Sequence, residues 1–147
     1  MSIEPSPAAR PSLLARWTSW SPYLLSILRI FTALLFMQFG GMKLFGFPMP
    51  MPEGMTTPLF SQVWFGGVLE LYGGALIALG LGTRAVAFLL SGMMAVAYFQ
   101  SHAPGGFWPA ANGGGDAVLY CFIWLYFSAA GAGPWSIDAM RAKRNRH

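Results

Sequence analysis

Four residues set where chemistry is possible in this chain: Lys43, Glu70, His102 and Asp116. Each lies in or beside a long apolar segment, where a charge is costly and normally has a partner or a function. An ammonium such as that of Lys43 can hydrogen-bond a carbonyl or anionic oxygen. A carboxylate such as Glu70 and an imidazole such as His102 can take up and release protons. A second polar group, Arg29, Arg84 and Asp138, falls elsewhere along the segments. Arg84 with Asp138 reads as a structural ion pair tying the C-terminal segment to a turn. No residue is assigned a catalytic role. No metal site is expected, because His102 and His147 fall at opposite ends of the pattern and zinc needs several such ligands. Haem is disfavoured by the same count, and most of the nine methionines, Met93 and Met94 among them, read as packing or lipid-facing. The single cysteine, Cys121, cannot form an intramolecular disulfide and reads as a small buried hydrophobe.

The elements that must carry these residues follow from composition. Charged residues are 10% of the 147 and hydrophobic ones 55%, against about 25% charged in a soluble domain. Four apolar segments are expected at about 23–45, 62–82, 84–102 and 116–135. Each approaches the ~20 residues that cross a hydrocarbon core, and only helices satisfy their own backbone there. The fold class predicted is all-α, a four-helix transmembrane bundle over residues 22–138. A polar and then interfacial tail (1–21, with Trp17 and Trp20) precedes it, and a basic tail (139–147) follows. The first apolar segment is too long for a signal-peptide core and carries Arg29, so no cleaved leader is expected.

Basic residues fall on the N-terminal tail (Arg10, Arg16), at Arg84 in the second turn, and on the last tail (Arg141, Lys143, Arg144, Arg146). The loops at about 46–61 and 103–115 hold none. The positive-inside rule therefore predicts both termini in the cytoplasm. The basic tail reads as a membrane anchor, and no nucleic-acid partner is expected.

Helical spacing collects the polar residues into stripes. Arg29, Ala33, Phe36, Gly40 and Lys43 share a face; so do Gly66, Glu70, Gly73, Ile77 and Gly80. Arg84, Ser91, Ala95, Tyr98 and His102 form a third, and Asp116, Tyr120, Ile123 and Phe127 a fourth. With that topology Lys43, Glu70, His102 and Asp116 converge on the outer half, Glu70 roughly 12 Å below the surface. The functional reading is a polar cavity for a headgroup-sized ligand, a quinone ring or a proton. The competing reading is an ion-pair network that fixes helix order. Paired glycines at 40–41, 66–67 and 73–74 lie inside spans and indicate close helix packing, with no phosphate-loop pattern.

The ordered stretches RIFTALLFMQFGGMKLFGF, FGGVLELYGGALIALGLGTRAVA, HAPGGFWPAANGGGDAVLY and GAGPWSID resemble the DoxX family of small four-helix membrane proteins, over about residues 28–138. The resemblance implies similarity to the small subunit of a thiosulfate:quinone oxidoreductase. Lys43, Glu70, His102 and Asp116 match recurring polar positions, with Asp116 where a Glu is common. It implies a bacterial inner-membrane location, a redox partner subunit, and no cofactor in the chain beyond a bound quinone. Three functions stay open: such a redox accessory subunit, a non-enzymatic assembly protein, and a small-solute transporter that would need to form a homo-oligomer.

Overall fold

A computed structural model describes residues 13–145; the N-terminal positions up to 12, with Arg10, and the last two, Arg146 and His147, lie outside the described residues. Every regular element among them is helical. The first helix, α1, runs over Leu13–Phe45, 33 residues with Pro22 inside. At 1.5 Å per residue it is about 50 Å long, well beyond a ~30 Å hydrocarbon core. It starts ten residues before the expected span, so exposed Trp17 and Trp20 ride on the same helix rather than on a separate tail.

Helix α2 covers Gln62–Leu79 and α3 covers Thr83–Gly105. With Arg16–Phe45 of α1 these are three helices long and apolar enough to cross a membrane. A short turn of helix, α4 (Pro109–Asn112), sits in the third connection. Helix α5, Gly115–Ala130, is apolar but has only 16 residues, about 24 Å. It stops at Gly131 (φ 84°), short of the 135 expected. Helix α6, Ile137–Arg144, carries three of the basic residues and starts from the capping hydroxyl of Ser136, which accepts from the Ala139 amide at 3.1 Å.

The core is assembled from one stripe of each long helix: Ala33 and Phe36, Ile77, Ala87, Leu90 and Met94, then Tyr120, Trp124 and Phe127. Phe36 contacts both Tyr120 and Trp124, with ring centroids 4.9 and 5.2 Å apart. The expected stripes of α1 and α2 are the buried ones. In α3 and α5 the expected stripes hold in part: Ser91, Tyr98, Tyr120 and Phe127 face inward, joined by Thr83, Ala87 and Leu90 on α3 and by Ala117 and Trp124 on α5. Arg84 and Asp116, assigned to the inward stripes, are exposed instead. Bulky apolar residues filled the interior in place of charges that would have been expensive to bury.

Candidate functional site

Two depths in the assembly carry polar side chains. Near the C-terminal end of α1, small residues let α2 come close. A Cβ on Gly40 would stand 2.6 Å from both the Gly67 carbonyl oxygen and the Leu71 nitrogen. Only glycine permits that approach, and it brings Lys43 over α2. There the helix widens into a π-turn at Leu69–Gly73, which inserts a residue into the register and re-aims the side chains. Glu70 lies in this turn and is buried, its side chain 4% exposed. Lys43 Nζ stands 2.5 Å from Glu70 Oε1, an ion pair whose ammonium side is 24% exposed. Glu70 Oε2 is buried without a hydrogen-bond partner. One carboxylate oxygen is therefore taken by the ammonium and the other is open to a hydrogen-bond donor.

His102 belongs to a neighbouring network. It lies in a second π-turn, Tyr98–His102, at the end of α3. Its Nδ1 is 3.2 Å from the carbonyl oxygen of Asn112. Its ring stacks on Tyr98, centroids 6.5 Å apart. The Tyr98 hydroxyl donates to the Phe107 carbonyl, and Asn112 Nδ2 donates to the Gly106 carbonyl at 2.6 Å. The Gly114 amide donates to Asn112 Oδ1 at 2.7 Å. Asn112, a residue of the third connection that helical spacing does not single out, joins this network. Its signal was the Asn-Gly pair closing a short helix, with Gly113 left-handed at φ 72°.

The four expected site residues are thus not one cluster. Lys43 and Glu70 meet; among the described residues, no hydrogen bond or ion pair joins His102 or Asp116 to them. Asp116 is exposed in the first turn of α5, where a helix N-terminus favours a carboxylate. Tyr120, one turn further on, is buried in the core against Phe36 and Trp124.

The other polar depth is built around Arg29, which is fully buried. Its Nε donates to the Ala132 carbonyl at 2.8 Å and Nη2 to that of Trp135 at 2.5 Å. Nη1 donates to the carbonyls of Ile77 and Ala78, the last of which is 2.5 Å away. Ile77 and Ala78 end α2, where the final carbonyls lack helical partners. The guanidinium serves as a clamp between the end of α2 and the chain after α5.

Arg84 and Asp138 do not pair. Arg84 Nη1 donates to the carbonyls of Ser128 (3.2 Å) and Ala129, at the end of α5. Asp138 accepts the amides of Gly82 (2.8 Å) and Thr83 (2.9 Å), capping α3. Each charge found orphaned helix-end groups, which outcompeted the ion pair expected between them. Partial burial pushes the Asp138 carboxyl up, but the Thr83 and Gly82 amides and nearby Arg141 outweigh it, leaving it below the ordinary carboxylate value. A cavity of about 470 Å³ opens at this end, lined by Gly82, Thr83, Arg84, Gly131, Ser136 and Asp138 among others.

Three apolar helices of membrane-spanning length, two of them joined by the Lys43–Glu70 ion pair, define a small integral membrane protein. The chain belongs to the DoxX family, whose sequence model matches residues 24–103. It is 42% identical over 122 residues to an uncharacterized protein of Haemophilus influenzae, covering 81% of this chain and 91% of the relative. No solved structure matches it.

Proposed function

We propose that this DoxX protein is an accessory subunit of a quinone-linked redox system in a bacterial inner membrane. All four apolar helices cross, with both termini cytoplasmic, so that Lys43, Glu70, His102 and Asp116 lie toward the outer face. The observation that carries the reading is the half-satisfied carboxylate of Glu70: one oxygen on Lys43, the other buried and unpartnered. A hydroxyl of a reduced quinone is a donor suited to Oε2, and a quinone carbonyl is an acceptor suited to the Lys43 ammonium. Glu70 would then take or return the proton as the ring changes redox state. Electrons would have to come from a partner subunit with a redox centre. His102, held by Asn112, and exposed Asp116 would serve proton exchange with the outer aqueous phase.

The 2.5 Å Lys43–Glu70 contact favours a second reading, in which the pair holds α1 against α2 and binds nothing. Solvent extraction of the detergent-purified protein, followed by mass spectrometry, separates the two. A near-stoichiometric quinone in wild type, lost in Glu70→Gln, is the expected result. A wild-type sample carrying no specific quinone would leave the structural reading in its place.

A further inference from the structure

The loop between α1 and α2 contains three methionines that neither the core nor the Lys43–Glu70 pair uses. They are Met49, Met51 and Met55, in the run Pro48-Met49-Pro50-Met51-Pro52-Glu53-Gly54-Met55. Met49 and Met55 are 58% and 60% exposed, and Met51 is half-buried. Methionine is normally a core residue, so three together on an open loop need another account.

The backbone brings them together. Met49 and Met51 each precede a proline, which biases both toward extended geometry. Two residues apart in such a chain, their Cα atoms are within about 7 Å. The chain then reverses: the Met55 amide donates to the Pro52 carbonyl at 3.0 Å, and Gly54 takes the left-handed φ of 84° that closes the turn. Met55 returns beside Pro52, the residue that follows Met51. The three rotatable bonds of each side chain let the sulphurs close on one point.

Electrostatics and donor softness specify what would sit there. The loop has no Lys or Arg, and its one charge is the Glu53 carboxylate at the turn. Neutral thioethers are poor ligands for hard divalent cations and good ones for Cu(I). Among the described residues no group of three or more His, Cys, Asp or Glu could hold a metal ion, so a conventional hard or borderline site is not the competitor. We propose that Met49, Met51 and Met55 form a thioether site for a soft monovalent cation, Cu(I), with Glu53 balancing its charge. The site is independent of any quinone at Glu70.

Titration of the full-length protein in detergent with Ag(I), the redox-stable soft probe, tests it, alongside competition for Cu(I) against bicinchoninate. In a Cys121→Ser background, which removes the one thiol that would also bind Ag(I), the chain should take up one ion, and the methionine variants are made in that background. The triple variant Met49→Leu/Met51→Leu/Met55→Leu should bind at least tenfold more weakly, while Met93→Leu/Met94→Leu should match the Cys121→Ser parent. In wild type labelled with methyl-13C methionine, Ag(I) should shift the three loop signals and leave the signals of Met93 and Met94 in place, a readout that does not depend on any variant folding. Loss of the same affinity in the Met93/Met94 control, no saturable binding, or shifts confined to helix methionines would each overturn the proposal.

Discussion

At the scale of single residues, α1 carries two cations on one stripe and settles them by different means. Arg29 uses three nitrogens on four backbone carbonyls, whereas Lys43 makes one contact with a carboxylate. A planar fork with several donors suits scattered carbonyls, and a flexible point charge suits one anion. Arg29→Lys should therefore be poorly tolerated, at about 3 kcal/mol for the charged hydrogen bonds it cannot remake. Lys43→Met should cost a similar ~3 kcal/mol, because it strands a buried carboxylate. Adding Glu70→Leu to Lys43→Met should recover most of that loss. Thermal melts of wild type, Arg29→Lys, Lys43→Met, Glu70→Leu and the double variant in one detergent check both statements; a double variant as unstable as the sum of its singles would contradict the pair's coupling.

At the scale of elements, two devices join helices without apolar packing. One is the Gly40 contact of α1 with α2. Gly40→Ala places a methyl 2.6 Å from backbone atoms of Gly67 and Leu71, which cannot move aside as a flexible side chain can. The helices must separate, at about 2 kcal/mol, and the Lys43–Glu70 contact should lengthen with them. Crosslinking yield between cysteines placed on α1 and α2, in a Cys121→Ser background, should fall. The other device is Asp138, which caps α3 from the start of α6. Its contribution, about 1 kcal/mol, should disappear in Asp138→Ala. Folding lowers this carboxyl's pKa, so its stabilisation is present above the unfolded value and is lost as pH falls through the folded one. Melting curves of wild type and Asp138→Ala should differ most near pH ~7 and begin to converge only as pH falls below the ordinary carboxylate value of about 4.

At the scale of the molecule, the distribution of charge and the proposed topology make a labelling prediction. In Cys121→Ser, a cysteine at Thr56 in the methionine loop should react with a membrane-impermeant thiol reagent applied to intact cells. One at Lys143 in α6 should react only after the membrane is opened. Labelling of both from outside would reject the arrangement with both termini in the cytoplasm. The 16-residue α5 is the helix on which this topology depends. In the irregular chain from Gly131 to Ser136 Arg29 takes the carbonyls of Ala132 and Trp135, and Arg84 takes those of Ser128 and Ala129 just before it, which satisfies backbone groups that lipid could not.

What the sequence determined by itself is the helical class, the approximate helix positions and the inward stripes of α1 and α2. Those follow from composition and from 3.6-residue spacing, which are local properties of the chain. That Lys43 would need an acidic partner was also legible, but spacing left Glu70 and Asp116 both open, and only the structure chose Glu70. Tertiary structure alone decided the rest. It kept Ser91, Tyr98, Tyr120 and Phe127 of the α3 and α5 stripes inside but left Arg84 and Asp116 outside, since Leu90 and Trp124 fill the core at no charge-burial cost. It set the ends of α5 and α1, and it sent Arg29, Arg84 and Asp138 to helix-end backbone rather than to each other. Unpaired carbonyls and amides at helix termini have no signature in side-chain spacing; they appear only when helices are placed end against end, and the nearest charge then takes them.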